Sequence, residues 1–161
     1  MISSIRSGGQ SGVDRAALDC AIALGLRYEG WCPSGGWAEG YPVPPGLLVD
    51  YPFLTQTPSS DPGQRTGWNV RDSDATLILA CGDAAGVSPG TLLTASVAER
   101  SGKPCLEMSV SDDPSSPGLA GFLAFAGGGR PIVLNVAGPR ESECPGAYAA
   151  AKAFLMAALR P

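Results

Sequence analysis

Histidine is missing from this 161-residue sequence, and charged residues make up only 16% of it. Without histidine the chain cannot contain a Ser-His-Asp or Cys-His catalytic system, or a zinc site that uses imidazole. Its five cysteines are an odd number and include no C-x-x-C pair, so their spacing indicates neither a disulfide framework nor a thiolate zinc site. We therefore expect five reduced cysteines and no bound zinc, with Cys20 and Cys105 buried in apolar runs.

Long apolar runs and a surplus of basic residues are also missing. No run approaches the length of a membrane span, and the N-terminus lacks a basic stretch followed by an apolar one, so we expect a cytoplasmic protein without a membrane anchor. The net charge of -4 argues against nucleic acid as a partner. Nine of the eleven basic residues are arginines, however, and arginine suits forked contacts with phosphate or carboxylate.

Runs with strand character alternate with helical patterns along the chain, which is typical of an α/β sandwich with a parallel sheet. The length favours a single domain over residues 1–161. Residues 33–62 are rich in Pro and Gly and predict a packed loop that walls a site. The predicted strands are Met1–Arg6, Tyr28–Cys32, Ala75–Ala80, Pro104–Val110 and Pro131–Ala137, and the predicted helices are Val13–Leu24, Asp61–Asp72, Thr91–Ser101, Leu119–Ala126 and Pro145–Leu159.

The most informative segment is Ser7–Arg15, with the sequence SGGQSGVDR, between a predicted strand and a predicted helix. Glycine adopts positive φ without a Cβ, and a helix start presents N–H groups with partial positive charge, so such a turn can bring the backbone close to an anion. Ser11 can cap the helix, with Asp14 as its third residue. A capped turn without a ligand is the alternative. The spacing matches neither the dinucleotide-binding nor the P-loop signature.

A second polar segment, Gln64–Asp74, packs arginines, an amide and carboxylates just before a buried strand. On a helix, Arg65, Asn69 and Asp72 share one face. A solvated face with an Arg–Asp pair is the alternative, and Trp68 argues against it because it indicates partial burial.

Three further features stand near strand ends. Ser88–Thr91 is a second helix start, suited to a phosphate or serving as an ordinary cap. Asn135–Glu143 follows the last strand, where it joins a site or forms a surface turn. Trp31 ends the second strand and either stacks on a planar ring or packs in the protein.

We expect these segments to share one site, because ligands of parallel sheets bind beyond the carboxyl ends of the strands. The candidates for acid–base chemistry are Asp14, Asp72, Asp74 and Glu141. No metal ligands are predicted. The residues predicted to bind a ligand are Gly8, Gly9, Gln10, Ser11, Gly12, Arg15, Trp31, Arg65, Asn69, Arg71, Ser88, Gly90, Thr91, Asn135, Gly138 and Arg140.

Taken together, these segments resemble the putative molybdenum carrier family. Its members are small Rossmann-like proteins related to the cytokinin-activating phosphoribohydrolases (lysine-decarboxylase-like proteins) and to DNA-processing protein A. The resemblance implies a three-layer sandwich with a mainly parallel five-stranded sheet, a homo-oligomer, and a nucleotide or cofactor-phosphate site at Gly8–Arg15 and Gly90-Thr91. It covers most of the chain and rests on Ser7–Arg15, Gly30–Pro33 with Ala38-Glu39, Thr57-Pro58-Ser59, Gln64–Leu77 and Asn135–Glu143.

The sequence departs from the family pattern in three places. Gly40-Tyr41 replaces the acidic-glycine pair expected after Ala38-Glu39. Ser34-Gly35-Gly36-Trp37 stands where the pattern has a basic Lys-Gly-Arg-Arg segment, and no carboxylate follows Ser88–Thr91, where the phosphoribohydrolases carry a Glu. We therefore favour a binding protein for a small anionic ligand, either the molybdenum cofactor or an adenine nucleotide such as AMP. A hydrolase acting on a nucleoside phosphate is the alternative.

Overall fold

A six-stranded parallel sheet is the framework of the protein, in a computed structural model that describes residues 1–81 and 88–160. The longest helices span 12 residues, and within the described ranges none is long and apolar enough to cross a membrane. The strands are β1 (Ile2–Arg6), β2 (Arg27–Cys32), β3 (Leu54–Gln56), β4 (Ala75–Ala80), β5 (Cys105–Ser109) and β6 (Ile132–Ala137), and the helices are α1 (Val13–Ala23), α2 (Pro62–Arg71), α3 (Pro89–Arg100), α4 (Pro117–Gly127) and α5 (Ala147–Ala158).

The strands lie in the order β3-β2-β1-β6-β4-β5, and all of the described pairings are parallel. This confirms the predicted α/β fold, and the five predicted strands end within one residue of their predicted limits. The sixth strand, β3, lies in the segment predicted as a loop. Its three residues are too few to show a strand pattern, and they become a strand by pairing with Gly30–Cys32 of β2. The predicted count of five strands is therefore one too low.

One face of the sheet carries the main apolar core. Ile5 of β1, Leu77 of β4 and Leu134 of β6 are fully buried there. They pack in one cluster with Val13 of α1 and Leu155 of α5. Helices α1 and α5 therefore cover this face, because alternate strand residues point to it.

On the opposite face of the sheet, polar contacts connect β1 and β2 with the end of α2. Arg6 donates to Glu29 at 2.8 Å and approaches Asp72 at 3.5 Å. The Ser4 hydroxyl donates to Glu29 at 2.6 Å, and the Trp31 indole N–H donates to Asp72 at 2.7 Å. Because Asp72 directly follows α2, these bonds hold the end of that helix on the sheet.

The contacts of Asp72 predict how the stability of the protein depends on pH. The Arg71 guanidinium first, and then the Trp31 indole, lower the pKa of Asp72 to about 2. A depressed pKa stabilises the folded state above the ordinary value of 3.8, and that contribution is lost as the pH falls towards 2. We expect Asp72→Asn to cost about 1–2 kcal/mol at pH 7 after solvent screening. Urea titrations should show the difference from wild type shrinking between pH 4 and 2, whereas the control Glu99→Gln, on the exposed side of α3, should show none.

The cysteines depart from expectation. Cys81, directly after β4, forms a disulfide with Cys144, which follows β6. The prediction of five reduced thiols is wrong, because β4 and β6 become neighbours only in the folded sheet and the two cysteines stand 63 residues apart in the chain. Cys20 is buried as predicted, but Cys105 is exposed because β5 is an edge strand.

Candidate functional site

A cavity of about 290 Å³ lies at the carboxyl edge of the sheet. Its walls are the turn after β1, the starts of α2 and α3, and the segment after β6. Both glycine-rich helix starts therefore meet at one cavity. The predicted residues that line it are Gln10, Asp14, Arg65, Ser88, Gly90, Gly138 and Arg140.

An ion pair between Asp14 and Arg65 lies in the cavity wall. One terminal guanidinium nitrogen of Arg65 donates to the Asp14 carboxylate at 2.8 Å, and the two side chains are only 13% and 5% exposed. Burial raises the pKa of Asp14, although Arg65 and the backbone N–H groups of Gln10 and Gly138 act to lower it. The buried Nε of Arg65 has no hydrogen-bond partner among the described residues. Arg65 lines the cavity as a guanidinium that is already paired with Asp14.

Gly8 and Gly9, in the turn after β1, lack a Cβ where neighbouring side chains pack closely against the backbone. A Cβ on Gly8 would lie 1.7 Å from the Arg65 guanidinium, so this glycine is needed for the ion pair. Gly9 has φ +68°, and a Cβ there would lie 3.0 Å from both Leu47 and Leu54. The side chain position at each of these two glycines thus faces the protein, and what the turn can offer a ligand is its backbone N–H groups.

The start of α1 differs from the prediction. Gly12, not Ser11, is the residue before the helix, and no side chain caps it. A Cβ on Gly12 would lie 2.3 Å from the Pro139 carbonyl oxygen, so the segment after β6 occupies the space beside the helix start. Asp14 is the second helical residue and faces Arg65 instead of closing a capping box.

Glu39 joins three segments around the cavity. Its carboxylate accepts hydrogen bonds from the hydroxyls of Ser11 and Ser142, and its backbone N–H donates to Gln10 at 2.7 Å. Arg140 approaches the same carboxylate at 4.0 Å. Burial acts to raise the pKa of Glu39, but these hydroxyls and Arg140 bring it below its ordinary value. The loop after β2 is thus tied to the turn after β1 and to the segment after β6, and the residues of 33–62 that line the cavity are Asp61 and Pro62.

The start of α3 presents its N-terminal end to the cavity. Ser88 caps this helix by accepting a hydrogen bond from the Thr91 N–H at 3.1 Å, and Pro89 occupies the first turn. Gly90 lines the cavity, while the buried Thr91 hydroxyl bonds to Ser88 at 2.9 Å. The partial positive charge of the helix end therefore lies at the cavity wall.

A smaller pocket of about 10 Å³ lies beside the cavity and shares Asp14 and Arg65 with it. Asn69, Asn135 and Gly8 also line it. The Asn69 side chain is hydrogen-bonded to the Trp31 backbone. It accepts from the Trp31 N–H at 2.8 Å and donates to the Trp31 carbonyl at 3.0 Å. A space of this size and polarity suits a single water molecule.

Among the predicted residues that do not line the cavity, four contact α2 or the strands beside its end. Asp72 and Trp31 belong to the polar network under α2. Arg71 is half-exposed, pairs with Asp72 and lies over a tryptophan ring. Asp74, before β4, accepts hydrogen bonds from the Arg130 side chain at 2.7 Å and from the β6 backbone at 2.8 Å.

The side chains of Arg15 and Glu141 are bonded to other parts of the protein. The Arg15 guanidinium donates to the Gly9 carbonyl at 3.0 Å and lies 4.7 Å from the centre of the Tyr41 ring. Glu141 caps the start of α5, where its carboxylate accepts from the Tyr148 N–H at 2.9 Å. Arg15 thus stabilises the glycine turn and Glu141 the start of α5, and neither residue lines the cavity.

Sequence reasoning missed several residues of the cavity. Asp61, predicted only as the first residue of a helix, caps α2 by accepting a hydrogen bond from the Gly63 N–H at 2.8 Å, and it lines the cavity. The Asp-Pro pair at this helix start was the available signal. Leu93 and Thr94 follow Gly90 by one helical turn and therefore share its side of α3. Glu143 lies three residues after Arg140 in the segment after β6.

The cavity wall carries charged groups of both signs. Arg65 and Arg140 line it together with Asp14, Asp61 and Glu143. Guanidinium groups and backbone N–H groups donate hydrogen bonds to oxyanions. Within residues 1–81 and 88–160, no group of three or more Cys, Asp or Glu side chains is placed to hold a metal ion.

The fold and the cavity define an α/β protein of Rossmann-like architecture with a site at the carboxyl edge of its sheet. The model of the circularly permutated YpsA SLOG family matches residues 5–159, so the chain belongs to that family. It is also similar to a crystal structure described as a putative molybdenum carrier protein from Syntrophus aciditrophicus SB, with 38% identity, 98% of this chain and 95% of that chain covered, and a TM-score of 0.81. This confirms the resemblance predicted from the motifs. A comparison with curated proteins found no match.

Proposed function

We propose that this protein binds a small phosphate-bearing anion in the cavity and carries it without turnover. The observation that supports this most is the convergence of Arg65, Arg140 and the start of α3 on one cavity. Arginine forks and helix N-termini are the groups that proteins use for phosphate.

The ligand we propose is the molybdenum cofactor or an adenine nucleotide such as AMP. The similar crystal structure is described as a molybdenum carrier, which favours the first. Pro89, Leu93 and Ala137 give the cavity an apolar side that can contact a planar ring. In either case the arginines and the helix start would hold the phosphate, and molybdenum would be cargo attached to the ligand.

A hydrolase acting on a nucleoside phosphate is the second candidate, and Asp14 is the observation that favours it. A buried carboxylate with a raised pKa inside a cavity is a candidate for proton transfer. Incubation with AMP followed by chromatography distinguishes the two functions. A carrier leaves AMP intact, and a hydrolase releases free base or phosphate.

Calorimetric titration with AMP and with inorganic phosphate tests the binding proposal. We expect Arg140→Ala to weaken binding by about 1.5–3 kcal/mol, because it removes a charged hydrogen-bond donor from the cavity wall. The matched control is Arg71→Ala, which removes an arginine that the structure places outside the cavity and should leave the affinity unchanged. Equal affinities of wild type and folded Arg140→Ala would contradict the proposed site.

A further inference from the structure

We infer that the Cys81–Cys144 disulfide is a reversible switch that fixes the turn carrying Arg140 against the cavity. Its consequence for ligand affinity rests on the function proposed above. The oxidised protein holds the turn in place for the anion, and the reduced protein releases it.

The position of the disulfide connects two walls of the cavity. Cys81 directly follows β4, the strand that leads towards Ser88 and α3, and Cys144 directly follows Glu143 in the segment after β6. Ser88 and Glu143 both line the cavity. The bond therefore ties the end of β4 to the segment after β6, just beyond the residues of that segment that line the cavity.

The Arg140 turn is bonded directly to Cys144. The Cys144 N–H donates to the Arg140 carbonyl at 3.0 Å, and the Arg140 N–H donates to the Glu143 carboxylate at 2.9 Å. The Arg140 side chain, which lines the cavity, is held less tightly, at 3.9 Å from Glu143 and 4.0 Å from Glu39. The covalent tether at Cys144 adds to the hydrogen bonds that hold this turn, from the Val13 N–H to the Pro139 carbonyl at 3.2 Å and from the Glu141 N–H to the Ser11 hydroxyl at 3.2 Å.

The bridged cysteines differ from the other thiols in accessibility. Cys81 and Cys144 pack against the core and are only partly buried. Cys20 and Cys32 are buried, and burial raises the pKa of each thiol to about 11, which keeps them protonated and unreactive. Cys105 is exposed on the edge strand and offers a matched control.

The chemistry is thiol–disulfide exchange with a dithiol reductant. One reductant thiolate attacks a sulfur of the Cys81–Cys144 bond, which forms a mixed disulfide and frees the other cysteine as a thiol. The second reductant thiol then displaces the remaining cysteine. The products are two protein thiols and the cyclic disulfide of the reductant, and a low-molecular-weight disulfide drives the reverse reaction.

The test uses the full chain, oxidised with glutathione disulfide or reduced with dithiothreitol. Thiol titration under denaturing, non-reducing conditions should find three thiols in the oxidised form and five in the reduced form. Hydrogen exchange should be faster at residues 138–146 in the reduced form. Calorimetry with AMP should show about tenfold weaker binding after reduction, roughly the free energy of ordering one backbone residue.

Two variants sharpen the test. Cys144→Ser should bind AMP like the reduced form and should not respond to dithiothreitol, whereas Cys105→Ser should behave as wild type. Five thiols after oxidation, or identical exchange of residues 138–146 in the two forms, would overturn the inference. If neither form binds AMP or phosphate while the thiol counts and the exchange rates differ as expected, the proposed function fails and the switch stands.

Discussion

Replacing Arg65 with methionine is expected to lower the free energy of unfolding by about 3–5 kcal/mol at pH 7. Methionine keeps much of the apolar stem but leaves the Asp14 carboxylate, 5% exposed, without its opposite charge. Removing one partner of a buried pair costs more than the pair contributes, because the remaining charge is desolvated and unpaired. Urea unfolding of the variant and wild type measures the difference.

The pH dependence of this loss identifies its cause. Burial raises the pKa of Asp14, and removal of Arg65 raises it further. The penalty therefore appears as the pH rises above the ordinary carboxyl value of 3.8 and disappears as the pH falls and the folded protein takes up a proton. The double variant Asp14→Asn with Arg65→Met should recover most of the loss, and Arg27→Met, at an exposed arginine, should cost little. A loss that grows as the pH falls would contradict this account.

Reduction of the Cys81–Cys144 disulfide is expected to lower the free energy of unfolding by about 4 kcal/mol, which the chain-entropy relation gives for a 63-residue loop. The closed loop restricts the unfolded chain, and opening it makes unfolding more favourable. Urea unfolding with and without dithiothreitol measures the difference. Cys144→Ser should match the reduced protein and lose its response to dithiothreitol, and Cys105→Ser should keep it. Equal unfolding midpoints with and without reductant in wild type would refute this prediction.

Most of the fold could be predicted from local patterns. The run Thr76-Leu77-Ile78-Leu79 does not alternate between apolar and polar residues, which indicates a strand covered on both faces, and it lies in the buried strand β4. Leu54–Gln56 could not be predicted in this way. It is a strand because β2 offers a free edge for pairing, and that edge exists only once the sheet has formed.

About half of the residues that line the cavity could also be predicted, because they follow predicted strands. Gly90 and Arg140 follow strands, and the parallel sheet brings such residues to one edge. Arg65 and Asp72 share a helix face by spacing, but they stand about two turns, or roughly 10 Å, apart along α2. Arg65 therefore lines the cavity while Asp72 bonds to Trp31 beyond the end of α2, and helical periodicity alone does not distinguish these positions.

The sequence by itself determined the alternation of strands and helices, because the periodicity of apolar residues and the helix-start signals act over a few neighbouring positions. Only the tertiary structure decided which distant residues meet. Gly8 is needed because Arg65, 57 positions further along the chain by residue number, lies against it, and Cys81 reaches Cys144 because β4 lies beside β6. These contacts depend on the order of strands in the sheet, and that order is set by packing between segments far apart in the chain.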